Sequence, residues 1–276
     1  MDSKKETSVV YPLYGLARLY HEQRKYEEAE QYYQEAIQMR ERLEGRDHLD
    51  VSDPLYGLAL LYKDQNHSEA AVPLLLRALH IREKALGPEH PDVAYPLYEL
   101  AMLYHKQEQD EKAGPLLQRA IPLLEQIYGP ESSHLISTLA ALAMIYTDQW
   151  KYAKAEALYL RLAHIAERTM GPEHNSFAWA LNNLADLYAQ QGDYARAEPI
   201  FLRAARIMEK VKGKEDPVTL TILCNVADCQ EAQNKLYEAA SLYQDILSLQ
   251  EEALGPDHPI TVETRRRYAL ARAARQ

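Results

Sequence analysis

Cysteine is nearly missing from this sequence: there are two, Cys224 and Cys229. Five residues apart, they project about 140° from one another on a helix, so one helix cannot bridge them. No third thiol exists to pair with either, and reduced thiols in a cytoplasmic protein are expected. Positive charge is also scarce, with 31 Lys and Arg against 41 Asp and Glu, a net charge of −10. A chain that replaces counterions around phosphates needs a basic face, so nucleic acid is not an expected partner. No apolar run approaches the roughly 18–20 residues that cross a bilayer, so a membrane is not expected either. Residues 1–8, "MDSKKETS", lack an apolar core and read as a polar tail, not a signal peptide.

Catalytic motifs are missing too. Gly213–Lys214 is followed by Glu215 and has Met208 where a phosphate-binding loop needs its first glycine. There is no G-x-S-x-G nucleophile elbow. Of ten histidines, His48, His90, His174 and His258 stand whole repeats apart, which is no ligand spacing. Acid pairs such as Glu27–Glu28 and Glu251–Glu252 read as solvated helix faces. No metal, cofactor or enzymatic activity is expected.

What the chain does have is repetition. "YPLYGLARLY" at 11–20, "DPLYGLALLY" at 53–62 and "YPLYELAMLY" at 95–104 begin 42 residues apart. Gly45, Gly87, Gly129, Gly171, Gly213 and Gly255 keep the same period, mostly within "GPEH"-like stretches. Glycine supplies a left-handed helix stop and a following proline forbids continuation, so a long helix is expected to end at each. Between the stops, Leu13, Leu16, Ala17 and Tyr20 fall at i, i+3, i+4, i+7, one stripe of a helix. The stripe recurs through Leu181, Leu184, Ala185 and Tyr188 and weakens at Leu223, Val226, Ala227 and Gln230. A second helix carries Ala29, Tyr33 and Ala36, matched by Ala71, Leu75 and Ala78 and by Ala197, Phe201 and Ala204. Single hairpins of this size bury too little to stand alone, whereas stacked neighbours share a continuous core. Pro12, Pro54 and Pro96 are expected in the first turns of their helices. Pro73, Pro115, Pro199 and Pro122 fall inside second helices, with the strongest bend expected near Pro122.

"LNNLADLYAQQGDYARAEPIFLRAARIME" at 181–209 resembles a tetratricopeptide repeat. The 42-residue period, about eight longer than usual, resembles the kinesin light chain type. The resemblance implies an all-α fold, a right-handed superhelical α-solenoid of about six helix-turn-helix repeats starting near 9, 51, 93, 135, 177 and 219. A C-terminal end helix over 261–276, with Arg265 where leucine belongs, would close it. It implies a module that binds other proteins. Two readings stay open: an adaptor holding an extended peptide segment, or a regulatory sensor or oligomeric scaffold module of a larger signalling protein.

In such repeats one face of the first helix lines the concave groove. Here that face carries Tyr11, Tyr14 and Arg18, then Tyr56 and Lys63, then Tyr95, Tyr98, Met102 and Lys106. Later repeats place Trp179, Asn182, Asn183 and Asn225 there. Aromatic anchors beside Lys and Arg suit a partner with acidic and aromatic residues. Tyrosines that merely stack between repeats are the alternative. The carboxylate clamp of chaperone-tail tetratricopeptide domains is missing, since its positions hold Tyr14, Arg18, Gly57, Tyr95 and Glu99. The paired asparagines of the kinesin light chain type, which grip a peptide backbone, are matched only by Asn182–Asn183 and Asn225.

Overall fold

The computed structural model describes the backbone of residues 3–274 and the side chains of residues 11–274. Among them are helices and turns but no strand. The chain divides into two compact units, residues 1–130 and 131–276. The first holds α1 (Ser3–Glu22), α2 (Tyr26–Glu44), α3 (Ser52–Asp64), α4 (Ser68–Leu86), α5 (Ala94–Lys106) and α6 (Asp110–Tyr128). The second holds α7 (Ile136–Asp148), α8 (Tyr152–Met170), α9 (Asn175–Gln190), α10 (Tyr194–Lys212), α11 (Pro217–Ala232), α12 (Leu236–Leu254) and α13 (Pro259–Ala273). In each unit a first helix pairs with a second one, the second being the longer in every hairpin except α1–α2, and the second helix packs on the next helix of its unit. This is the expected all-α solenoid of repeated helical hairpins, with α13 as its last helix.

The stripe read from the sequence is the core. Leu55, Leu58 and Ala59 of α3, Leu97, Leu100 and Ala101 of α5, and Leu181, Leu184 and Ala185 of α9 are all buried. The small residues of the second helices, Ala29, Ala36, Ala71, Ala78, Ala197 and Ala204, are fully enclosed and let neighbouring backbones approach. Between them Tyr33, Leu75 and Phe201 fill the space.

The repeat misleads at one end. Leu16 occupies the core position of the first stripe, yet it is 38% exposed, against 4% for Leu58. Nothing precedes α1 in the described stack, so the surface that α2 covers on α3 stays open on α1. Pro12 likewise differs from its counterparts. Pro54 and Pro96 lie in the first turns of α3 and α5, as expected, but Pro12 falls well inside α1, which takes in part of the stretch read as a tail. Helix α6 runs unbroken through both Pro115 and Pro122 to Tyr128.

The helix stops hold a second correction. Gly45, Gly87 and Gly129 end α2, α4 and α6 with φ between 86° and 100°, as a glycine permits, but with ψ near 155°. That is the extended, positive-φ region open essentially to glycine alone, not the left-handed helical region. Left-handed backbone occurs instead inside each hairpin, at Arg24, Asn66, Glu108, Trp150, Gly192 and Asn234. The recurring histidines have a local role. Nδ1 of His90 accepts from the Asp92 backbone N–H at 3.2 Å, and His174 does the same for Ser176 at 3.1 Å. Asp216 Oδ1 substitutes at 3.0 Å from the Val218 N–H. Each satisfies a donor that the entering helix leaves unpaired.

Candidate functional site

The tyrosine-rich face of the first unit is largely occupied by its own network. Tyr14, Tyr56 and Tyr98 are half-buried, and burial raises the pKa of each phenol above its ordinary value. Arg82, reaching in from α4, lies 5.3 Å from the Tyr56 ring centre. It also donates to Ser52 Oγ at 3.2 Å, the Asp92 carbonyl at 2.8 Å and Asp53 Oδ1 at 2.8 Å. One buried cation thus ties α4 to the start of α3 and to the turn before α5. Arg40 holds the equivalent place on α2, 4.6 Å from the ring centre of Tyr11, itself 66% exposed. Tyr95 and Tyr128 share a hydroxyl–hydroxyl bond of 2.5 Å, which, ahead of burial, pushes the Tyr95 pKa up to about 12.

Two of the three cations expected to meet an acidic partner are also engaged. Lys63 Nζ lies 2.7 Å from Glu99 Oε2, and Lys106 Nζ donates to Asn66 Oδ1 at 2.8 Å. Met102 is half-buried, and Arg18 is exposed.

Tyrosines at the end of each stripe do more than fill space. Tyr62 OH donates to Glu30 Oε1 and Tyr188 OH to Glu156 Oε1, both at 2.7 Å. Where the sixth repeat has Gln230, its amide donates to Glu198 Oε1 at 3.1 Å. The same tie between hairpins is therefore made by two different side chains. Tyr20, Tyr62 and Tyr104 are half-buried, whereas Tyr146 and Tyr188 are buried.

The second unit contains an open, mostly apolar pocket of about 520 Å³. Trp179 from α9, Met208 from α10 and Ile222 from α11 form its walls. Asn182 and Thr221 add polar groups, and Lys212 at the end of α10 is the charged residue of the lining. Trp179 is 43% exposed. Asn182 Oδ1 is shielded from solvent and has no hydrogen-bond partner among the described residues, and the same holds for Asn183 Nδ2. A shielded acceptor left unpaired is unfavourable by about 1–3 kcal/mol, so a ligand N–H reaching it would be favoured. Of the expected groove residues, Trp179 and Asn182 converge on this pocket. Asn183 and Asn225, both half-buried, do not line it. Met208 and Lys212 lie on the other helix type, where a single-helix stripe does not look for them.

In the first unit Glu44, His48 and Asp50 make a group of metal-like composition, their ligand atoms within 4.8 Å of one another. Arg40 Nη1 donates to Glu44 at 2.7 Å and to Asp50 at 2.8 Å, so a guanidinium already supplies the positive charge there. Both cysteines are free, and burial raises the pKa of each thiol, Cys229 to about 11. Such thiols are poor nucleophiles at neutral pH. No described helix is long and apolar enough to cross a membrane.

The tetratricopeptide repeat model matches residues 9–84, 69–126, 92–168, 134–210 and 176–252. No curated protein matches the sequence. Among solved structures, BtubC from P. vanneervenii is similar with a TM-score of 0.68 and 24% identity, over 86% of this chain and 93% of that one. A kinesin light chain-like protein from Podosopora anserina, with nearly identical TPR-like repeats, gives 0.64 and 23%, over 74% and 97%. YrrB, described as a TPR protein with an unusual peptide-binding site, gives 0.52 and 21%, over 71% and 84%.

Proposed function

Because the chain belongs to the tetratricopeptide repeat family, a family of protein–protein interaction modules, we propose that its second unit binds an extended segment of a partner protein in the Trp179 pocket. The observation that carries this reading is a pocket in which Asn182, whose shielded Oδ1 is unpaired, lies with a half-exposed indole. A side-chain amide pairs with peptide N–H and C=O groups whatever their sequence. Trp179 supplies apolar area at low entropic loss, as interface anchors do. Lys212 beside it favours a segment with an acidic residue near its apolar one. YrrB, with the same fold, has a peptide-binding site of its own, which supports the reading. The tyrosine face of the first unit serves chiefly as packing, since Tyr14, Tyr56 and Tyr98 are half-buried and the Tyr95 hydroxyl, Lys63 and Lys106 already have partners.

The test is a peptide-display selection on the wild type, followed by affinity measurement on Trp179→Ala and Asn182→Ala. Enriched peptides should lose at least tenfold in affinity for each variant and keep it for Tyr98→Ala. Peptides that bind all of these proteins equally, or no enrichment from folded wild type, would reject the pocket.

A further inference from the structure

The outer face of α1 is a residue-for-residue copy of a surface that is covered elsewhere in the same unit. "PLYGLA" occurs at 12–17 in α1 and at 54–59 in α3, and Leu19 corresponds to Leu61. On α3 this surface is buried: Pro54 and Gly57 are enclosed, Leu58 is 4% exposed and Leu61 0%. On α1 the matching residues are open, with Leu16 at 38% and Leu19 at 48%. Pro12 and Gly15 are exposed as well.

What covers the α3 copy is known in detail. Tyr33 of α2 lies over Gly57 so closely that a Cβ there would stand 2.4 Å from the ring. Ala29, Ala36 and Ile37 flank Tyr33 in the same buried face, and Glu30 takes the hydrogen bond from Tyr62 OH. Gly15 offers the same recess with nothing within 4 Å of it. Tyr20, the counterpart of Tyr62, is half-buried and stacks on Tyr32 with ring centres 5.4 Å apart.

We propose that the α1 face is a docking site for an amphipathic helix of another protein. That helix carries the α2 pattern Ala-Glu-x-x-Tyr-x-x-Ala-Ile. Its tyrosine ring enters the recess at Gly15, its small residues admit Leu16 and Leu19, and its glutamate accepts from Tyr20. The repeated α2–α3 interface is thereby continued one step beyond α1. A second copy of this chain does not supply such a helix, because the matching face of α2 is already buried against α3. The site lies in the first unit and is independent of the Trp179 pocket.

The probe is a labelled peptide of residues 25–45, held helical by a cross-link between positions 31 and 35, which are exposed in α2. Saturable binding to the full chain is expected. Gly15→Ala should weaken it at least tenfold, because the added methyl fills the recess. So should Tyr33→Ala in the peptide. Alanine in place of a helix-interior glycine favours the helix itself, so Gly15→Ala should melt no lower than wild type, and lost binding cannot be put down to misfolding. No binding to wild type, or equal binding to Gly15→Ala, would overturn the proposal. A dimer of the free chain that Gly15→Ala dissociates would also overturn it, assigning the face to a second copy.

Discussion

At the scale of a residue, the two glycines in "PLYGLA" show how one short sequence acquires opposite roles. Gly57 is needed because the Tyr33 ring occupies the place of its side chain, whereas Gly15 has open space. Gly57→Ala forces a buried ring to move in a packed core, which should destabilise by about 1–3 kcal/mol. Urea unfolding would read this as a lower midpoint. Adding Tyr33→Leu should recover part of the loss, because Leu75 and Leu117 occupy the equivalent site in later hairpins and are fully buried. An unchanged midpoint for Gly57→Ala would mean that the ring moves aside freely and that the recess has no energetic meaning. The sequence alone cannot separate these glycines, because the difference lies in whether another helix packs over them.

At the scale of an element, the hairpins were legible and their turns were not. Leucine and alanine at helical spacing name the buried face, and glycine every 42 residues marks where long helices stop. The left-handed residue inside each hairpin leaves no such signature, since arginine, asparagine, glutamate, tryptophan and glycine all occur there. That turn is closed by the chain's own backbone, as in the bond from Lys151 N–H to the Tyr146 carbonyl at 2.8 Å, which any side chain at the left-handed position allows. Trp150 stands there at φ 59° and is 77% exposed, with an edge contact to Tyr152. A bulky residue in left-handed backbone is unfavourable by about 1 kcal/mol relative to glycine. Trp150→Gly should therefore raise the unfolding free energy, with a higher melting temperature as the readout. A lower one would mean that the indole makes a stabilising contact beyond Tyr152. The candidate sites show the same limit: a stripe on one helix finds Trp179 and Asn182. It cannot find Met208 and Lys212, which reach the pocket from α10, or Arg40 and Arg82, which reach the tyrosine face from α2 and α4.

At the scale of the whole molecule, stability in a stack of repeats is carried by contacts between neighbours, so a local defect need not unfold every part. Each unit has its own packed cluster, one around Tyr33 and Leu58, the other around Tyr243 and Ala240. Both tryptophans, Trp150 and Trp179, belong to the second unit, so selectively excited indole emission reports that unit alone. Circular dichroism at helical wavelengths reports both. In Gly57→Ala the dichroism transition should broaden and begin at lower urea, while the indole midpoint stays at its wild-type value. The defect sits at the α2–α3 contact, and the α8–α9 and α10–α11 contacts that hold the second unit do not include it. Equal shifts in both signals would instead show that 1–130 and 131–276 unfold as one cooperative body, and a defect at any one hairpin contact would then destabilise the Trp179 pocket as well.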